Sequence, residues 1–414
     1  MYINFWYPIC TTEDLTGDAP LRAELLGVRL VAFRDGEGNA HVMCDTCIHR
    51  GASLSKGRTV DGCIECPYHG WRYDGAGKCV SIPTQNGKKP PARAKVDSYP
   101  VCERYGIVFA FLGDLGEAER PPLPVVEEDG RDGWDVSGPM VFEIDAYFER
   151  SVENGMDPIH NEFVHPAQGA PAVEEDRFSV ETGSWGSRFE VAFGAYAQPE
   201  SRQKVAETDD SGTVGLRAGS WHIGPNTLVT GIHLPGDNSF IQYFFEAPVA
   251  MDRTRIYFVN ARNNNLGTDK DDWINSTFMN IAGEDRAVIE ELWPVGTPDT
   301  LTKELLTPGD AAVVQYRDFL KTWDSRGWRI DWPAMKQKEH SVAYAIPSPG
   351  RRESGNWILD TIPLVKYPTT HRNRCATSRP CRVLSSQKTI RQSGSAMTAA
   401  QGIIFLIDLG KKIS

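Results

Sequence analysis

Two short segments that each combine a cysteine with a histidine constrain this 414-residue chain more than any other feature. Cys47 and His49 form a C-x-H pair, and Cys66 and His69 form a C-x2-H pair, with 16 residues between the two pairs. Thiolate and imidazole side chains are both metal ligands. The two pairs are therefore candidates for one shared metal site, provided that the chain folds each of them into a tight loop.

The spacing of the two pairs favours a Rieske-type 2Fe–2S cluster. In such a cluster two thiolates hold one iron and two imidazoles hold the other. Gly51 follows the first pair and Gly70 follows the second. Glycine permits the sharp turns that would bring both side chains of each pair to one cluster.

A second arrangement uses cysteines alone. Cys44, Cys47, Cys63 and Cys66 have the C-x2-C…C-x2-C spacing of a structural zinc ribbon. This alternative leaves both histidines without a role, so the 2Fe–2S interpretation is preferred. Cys44 and Cys63 are then expected to be buried thiols.

A pair of histidines farther along the chain is a candidate for a second metal site. His160 and His165 lie five residues apart, slightly more than one helical turn, and Pro166 indicates that a helix ends there. Two histidines and one carboxylate, with open coordination positions, form the facial triad of non-haem Fe(II) oxygenases. The histidine pair alone is weak evidence for an iron site. A 2Fe–2S cluster upstream strengthens it, because the cluster would supply the electrons that such an iron needs.

The run Cys-Pro-Tyr-His-Gly-Trp over residues 66–71 resembles that of the Rieske non-haem iron oxygenases, and the two motif sets stand in the order of that family. The resemblance covers about residues 1–360. The N-x2-D-x2-H-x4-H spacing over residues 154–165 is similar to that of the phthalate, vanillate, dicamba and pheophorbide oxygenases. The Glu-Asn-Gly-x-Asp-Pro-x-His run also resembles the carbazole and oxoquinoline oxygenases.

The resemblance implies one mononuclear Fe(II) per subunit, with a third ligand from a late helix. Asp285 is the preferred ligand, because Glu284-Asp285 is similar to a Glu-Asp motif of the family. Other acids on or near this helix compete for the role: Glu284, Asp271, Asp272, Glu290 and Glu291.

Two further residues receive expected roles. Asp157 lies one helical turn before His160, so its carboxylate is predicted to accept a hydrogen bond from the second imidazole nitrogen. In the family, the matching aspartate connects the iron site of one subunit to a cluster histidine of its neighbour. This implies a homotrimer with His69 as the neighbour-side residue, and Asn154 matches a family position near the iron.

The chain is predicted to contain an all-β Rieske domain over 1–120 and an α+β catalytic domain over 121–364. In the second domain, strand patterns indicate a curved antiparallel sheet that carries helices. A strand is expected over 141–148 and a helix over 149–164. A further helix is expected over 271–293, and residues 365–414 are predicted to be a basic, disordered tail.

Composition limits the function and the compartment. A net charge of −11 argues against a nucleic-acid-binding surface. No run approaches the roughly 18 apolar residues that a membrane helix needs. Nine cysteines, an odd number in a long chain, do not suggest a disulfide framework, so the expected compartment is the reducing cytoplasm.

Together these patterns predict the terminal oxygenase of a multicomponent system. Electrons would come from a separate NAD(P)H-dependent reductase, possibly with a ferredoxin. With dioxygen, the iron would hydroxylate, dihydroxylate or demethylate a small aromatic or similar apolar substrate. Strands over 221–233 and 240–245 are expected to line the pocket, with His222 and His233 as polar pocket or core residues. A Rieske electron carrier without oxygenase activity and a zinc-ribbon binding protein are the alternatives.

Overall fold

The computed structural model describes residues 1–17, 19–165, 173, 179–192, 217–234 and 238–366 of the chain. The tail predicted over 365–414 lies outside the described residues from residue 367 onward.

The N-terminal part of the chain consists of short antiparallel strands. They are β1 (Phe5–Thr11), β2 (Leu21–Leu25), β3 (Val28–Arg34), β4 (Ala40–Cys44), β5 (Arg58–Val60), β6 (Cys63–Glu65), β7 (Arg72–Tyr73), β8 (Cys79–Ser81), β9 (Ser98–Tyr99), β10 (Val101–Arg104) and β11 (Ile107–Leu112). They form one three-stranded sheet, β1-β11-β10, and two four-stranded sheets, β2-β3-β4-β9 and β5-β6-β7-β8. The prediction of an all-β N-terminal domain is confirmed.

The rest of the described chain combines one large sheet with helices. Its elements are β12 (Asp135–Ile144), α1 (Phe148–Gly155), α2 (Asn161–Val164), β13 (Ser179–Thr182), β14 (Ser187–Ala192), β15 (Arg217–Ile223), β16 (Thr227–Leu234), β17 (Asn238–Ala250), β18 (Arg253–Arg262), α3 (Asp271–Ile289), α4 (Ala311–Ser325), α5 (Trp332–Gln337), β19 (Tyr344–Ala345), α6 (Pro349–Glu353) and β20 (Asp360–Thr361). The large sheet has the order β12-β18-β17-β16-β15-β14-β13, and each neighbouring pair of strands in it is antiparallel. The predicted α+β architecture is confirmed.

The two faces of the large sheet have different partners because side chains alternate along each strand. On one face, Phe245 of β17 contacts Phe109 of β11, with 5.1 Å between the ring centroids. On the opposite face, Phe240 of β17 contacts Phe278 of α3, with 5.2 Å between the centroids. The sheet therefore lies between the N-terminal strands and the layer of helices.

The helix predicted over 149–164 is two helices. α1 ends at Gly155, α2 begins at Asn161, and the residues between them are not helical. Pro158 explains the break, since proline lacks an N–H group and disfavours helical geometry at the preceding residue. The strand predicted over 141–148 also differs, because β12 ends at Ile144 and Phe148 already belongs to α1.

The apolar face predicted for the late helix is only partly right. Ile274, Phe278 and Ile289 of α3 are buried, whereas Trp273 and Val288 are exposed. The helix lies on the sheet along one side only, so apolar residues beyond that side remain in contact with solvent. Among the described residues, no helix is both long and apolar enough to cross a membrane.

A buried group of charges connects α1 to α4. Arg317 donates hydrogen bonds to both carboxylate oxygens of Glu153, at 2.7 and 2.8 Å. Glu304 pairs with Arg150 and with Arg317, at 2.9 and 2.7 Å. Buried charges of this kind stay stable only when they are paired. The group therefore fixes α1, which ends just before the two predicted iron histidines.

We expect Arg317→Met to lower the free energy of unfolding by about 3 kcal/mol, because Glu153 would remain buried without its main partner. Urea unfolding followed by tryptophan fluorescence measures the change. Lys321→Met is the matched control on α4, since the pair of Lys321 with Asp318 is exposed. Its expected effect is below about 0.5 kcal/mol. Equal losses in the two variants would contradict the structural role of the buried group.

Candidate functional site

The two cysteine–histidine segments fold into matching loops. The Gly51 N–H donates a hydrogen bond to the Cys47 carbonyl at 2.9 Å, and the Gly70 N–H donates to the Cys66 carbonyl at 3.0 Å. Both glycines lie in the left-handed region, with φ of 74° and 68°. Other residues adopt this region only at a cost, so glycine is what allows each loop to close.

The loops bring like ligands together. The Cys47 and Cys66 thiols are buried and within hydrogen-bonding reach of each other. The His49 and His69 rings are exposed, with 4.5 Å between their centroids. A cluster of two irons needs this division into a thiolate pair and an imidazole pair. The donor set therefore fits a 2Fe–2S cluster.

The thiol pair favours the charge state that a metal cluster requires. A hydrogen bond with Cys47 lowers the pKa of Cys66 to about 6, and the N–H groups of Tyr68 and His69 act in the same direction. The same bond raises the pKa of Cys47, because the two sulfur atoms share one proton. One thiolate thus forms readily even without a metal.

The zinc-ribbon alternative is not supported by the geometry. Cys44 is fully buried on β4 and Cys63 half-buried on β6. A zinc ion would gather three or more ligand atoms within a few ångströms of one another. In the described part of the chain, no such group includes any of the four cysteines.

Two aromatic residues beside the cluster loops were not assigned a role from the sequence. The Tyr73 hydroxyl lies 3.2 Å from the Cys47 sulfur, within hydrogen-bonding distance. The Trp71 ring stacks on His49, with 4.6 Å between centroids and 5° between planes. Both residues follow the second loop directly in sequence, which is the signal that could have identified them.

The second candidate site forms where the break after α1 meets α3. The ligand atoms of His160, His165 and Asp285 all lie within 4.8 Å of one another. Asp285 Oδ1 is 3.4 Å from His160 Nε2 and 3.1 Å from His165 Nε2. The structure therefore brings together the three residues that the sequence selected as iron ligands.

The remaining ring nitrogens fix the orientation of both histidines. His160 Nδ1–H donates to the carbonyl oxygen of Asp157 at 2.6 Å. His165 Nδ1–H donates to Glu284 Oε2 at 2.8 Å. Each ring consequently presents Nε2 to the centre of the site, as a metal-bound imidazole does. The two imidazoles and one carboxylate fit a mononuclear iron.

The prediction that the Asp157 carboxylate accepts a hydrogen bond from His160 is wrong. His160 bonds to the Asp157 backbone carbonyl, while the carboxylate accepts the Ile159 N–H at 2.7 Å. The helix break causes the difference, because Asp157 and His160 no longer lie one helical turn apart on a continuous face. Asn154 lies close to the site, as its Nδ2 donates to Asp285 Oδ1 at 3.0 Å.

Electrostatics keep Asp285 ionised. Burial by itself would raise its pKa, but hydrogen bonds from His160 and His165 outweigh burial and hold the pKa well below the usual range. Burial would likewise lower the pKa of His165, yet Asp285 and Glu284 raise it. The site thus concentrates negative charge where a divalent cation would sit.

The competing acids have other contacts or lie in solvent. Asp271 pairs with Arg262 at 2.7 Å, and Glu290 accepts the Asp145 N–H at 2.9 Å. Asp272 and Glu291 are exposed. Glu284 is the exception, since it contacts His165 rather than the centre of the site. Its position directly before Asp285 is the sequence signal for this supporting role.

Of the two histidines that were expected to be polar pocket or core residues, His222 is a buried core residue. Burial lowers its pKa to about 4, and its ring donates from Nδ1 to the Gly224 carbonyl at 3.0 Å. Its Nε2 accepts the Ser187 N–H at 3.0 Å. The His233 ring lies 2.9 Å from the Ser239 hydroxyl.

Two families match the chain. Residues 5–100 match the Rieske [2Fe-2S] domain, and residues 144–326 match the vanillate O-demethylase oxygenase C-terminal domain. The first match contains both cluster loops, and the second contains the two histidines and Asp285.

Several known proteins are similar to the chain. Methylxanthine N1-demethylase NdmA of Pseudomonas putida is 29% identical over 331 residues, which are 77% of this chain and 88% of that protein. The solved structure of Pseudomonas putida NdmA with caffeine has a TM-score of 0.63 and 25% identity, and the match covers 77% of this chain and 90% of that chain. The oxidoreductase NdmD of Pseudomonas putida is 38% identical over 112 residues, 27% of this chain and 19% of that protein.

We expect Glu284→Gln to weaken binding of Fe(II) or Co(II) to the triad by about tenfold, because a neutral amide supports the His165 ring less strongly than a carboxylate. Titration of the iron-depleted protein with Co(II), followed in the visible spectrum, measures this affinity. Glu291→Gln, just beyond α3, is the control and should bind as the unmodified chain does. Equal affinities in both variants would show that the Glu284 charge does not act on the site.

Proposed function

Since the chain belongs to the Rieske non-haem iron oxygenases, we propose that it oxidatively demethylates a small N-methyl or O-methyl aromatic compound. The observation that carries the proposal is the convergence of His160, His165 and Asp285 in a chain that also contains a Rieske domain. An electron carrier would have no use for this second site.

We assign the cluster to Cys47, His49, Cys66 and His69, on the basis of their pairing into thiols and imidazoles. The mononuclear iron is assigned to the triad. A division into a Rieske domain over 1–120 and a catalytic domain over 121–364 agrees with the separate family matches over 5–100 and 144–326.

The triad residues prepare the site for oxygen chemistry. When bound, the iron supplies the activation of dioxygen that puts one oxygen atom into a methyl C–H bond. Asp285 carries the negative charge that offsets the cation, and the bond from Asn154 holds this carboxylate in place. His160 and His165 are held through Nδ1, so each ring keeps Nε2 directed at the site.

The proposed reaction balances with an external reductant. Dioxygen, two electrons and two protons convert the methyl group to a hydroxymethyl group and release water. The hydroxymethyl group then leaves as formaldehyde, and the heteroatom keeps the proton. NAD(P)H supplies the electrons through a separate reductase, either directly or by way of a ferredoxin.

Demethylation is favoured over dihydroxylation by the catalytic part of the chain. This part matches the vanillate O-demethylase oxygenase domain, and the methylxanthine N1-demethylase is similar over 88% of its own length. Both names describe removal of a methyl group from a heteroatom on an aromatic ring. We therefore infer the same reaction type for this chain.

A homotrimer is the assembly that we propose for electron transfer. His69 is exposed, and Asp157 is half-buried beside the triad. Between these two described residues, no hydrogen bond forms within one protomer. Contact between His69 and the Asp157 of a neighbouring copy would connect the cluster of one chain to the iron of the next. The seven cysteines that the structure describes are free, which agrees with a reducing cytoplasm.

The reaction is tested with anaerobically purified protein, a reductase and NADH. Metal and sulfide analysis should show about three irons and two sulfides per chain. With an N-methylxanthine or a methoxybenzoate, formaldehyde should form in proportion to the oxygen consumed. Asp285→Ala should lose one iron and the formaldehyde but keep the Rieske EPR signal. A cis-diol from naphthalene without formaldehyde from any methylated compound would overturn the proposal.

Asp157→Asn should reduce turnover by about 100-fold while leaving iron content, the EPR signal and the assembly unchanged, because the route between the two centres is weakened. Stopped-flow oxidation of the pre-reduced cluster, with substrate and dioxygen present, measures the transfer step directly. Asp145→Asn, an exposed aspartate just before α1, is the control. A protein that is monomeric by light scattering yet fully active would contradict the trimer.

A further inference from the structure

A line of polar side chains crosses one face of the large sheet. Paired residues on antiparallel neighbours project from the same face. In the strand register, Ser220 on β15 is opposite Thr230 on β16, and Thr230 is opposite Gln242 on β17. Gln242 is in turn opposite Asn260 on β18, and Asn260 is opposite Ser137 on β12. Five neighbouring strands thus each contribute one polar residue to this polar line, within a face that is otherwise largely apolar.

The polar line runs along the sheet beneath the helices next to the triad. Gly155, at the end of α1, packs directly on Leu228, which is two residues from Thr230 on β16. Phe278 of α3 packs on Phe240, which is two residues from Gln242 on β17. The helix that precedes the iron histidines therefore lies beside the line at β16, whereas α3, which carries Asp285 and also bonds to Ser137 through Asn275, covers the end of the line on β18 and β12.

Most members of the polar line have partners within the protein. The Ser220 and Thr230 hydroxyls lie 3.1 Å apart, and the Ser137 hydroxyl donates to Asn275 at 3.0 Å. Asn260 is different. It is fully buried, yet neither its carbonyl oxygen nor its amide nitrogen has a hydrogen-bond partner among the described residues. Burying an unpaired carboxamide is unfavourable, so an external group is needed to satisfy it.

We propose that Asn260 anchors the substrate, and that the substrate is a neutral heterocycle with a carbonyl next to a ring N–H. This inference rests on the proposed function and names the substrate class of the same site. A carboxamide has one acceptor and one donor side by side. A lactam edge offers the complementary donor and acceptor, so both atoms of Asn260 are satisfied by one flat ligand.

Other substrate classes fit Asn260 less well. A carboxylate offers acceptors only, and would leave the Asn260 carbonyl oxygen facing an anion. A sterol skeleton or a plain arene offers neither a donor nor an acceptor. The charge of Arg262, two residues along β18, is balanced by Asp271 at 2.7 Å and Asp135 at 3.4 Å, both through Nη2, although its Nη1 has no hydrogen-bond partner among the described residues.

The test compares three ligands of nearly equal shape. 6-Methoxy-2-quinolone has the lactam edge, 2-methoxynaphthalene lacks it, and 6-methoxy-2-naphthoate replaces it with a carboxylate. Dissociation constants are measured by calorimetry on the iron-loaded full chain, without reductase and without dioxygen. The unmodified protein should bind the quinolone at least about tenfold more tightly than either naphthalene.

Asn260→Leu should abolish this preference, and the melting temperature should stay the same or rise, because a buried unpaired amide has been removed. Asn260→Ala is measured alongside, since the smaller side chain cannot clash. Thr230→Val is the control, because its hydroxyl is already paired with Ser220. It should keep the preference within about twofold.

Three results would overturn the inference. They are no preference in the unmodified protein, an unchanged preference in both Asn260 variants, and a lower melting temperature of both variants with unchanged relative affinities. Because no turnover is involved, these results are independent of the proposed reaction. If methylated compounds without a lactam edge release formaldehyde and the protein shows no binding preference, the proposed demethylase reaction is supported. Only the proposed role of Asn260 is then refuted.

Discussion

One carboxylate connects the stretch over residues 154–165 to α3. Asp285 accepts a hydrogen bond from Asn154 at the end of α1 and lies within 3.4 Å of both histidine Nε2 atoms. A charged group with this degree of burial is stable only if its partners stay in place. Asn154, His160 and His165 are consequently held against α3 by the same oxygen atom, Asp285 Oδ1, so the geometry of the site and the packing of this stretch on α3 cannot change independently.

The large sheet explains how one chain can support two metal centres with different needs. One face of β17 packs on β11 through Phe245, and the other packs on α3 through Phe240. Because side chains alternate along a strand, the single strand β17 contacts both halves, so neither face can shift without moving the other. The ion group around Arg317 adds a second restraint, because it holds α1 against α4 just before the break that presents the two histidines.

The parts that could be predicted from the sequence are those that depend on short spacing. The Cys47 and Cys66 loops each depend on a glycine four residues later, and each closes by a hydrogen bond within five residues. The partner of His160 was mispredicted, because helical spacing was assumed across Pro158. The position of Asn260 was not predictable at all. Its neighbour Ser137 on β12 is 123 residues away in sequence, and only the register of the folded sheet brings the five residues into one line.

The two centres differ in solvent exposure, and the difference suits electron exchange at the first centre and oxygen chemistry at the second. At the proposed cluster site the thiols are buried and the imidazoles exposed, so a cluster held there would exchange electrons through His49 and His69 without opening of the protein. At the triad, His165 is buried and its ring is held from behind by Glu284. Oxygen chemistry requires this drier setting, because excluded water strengthens the local electrostatics and prevents side reactions.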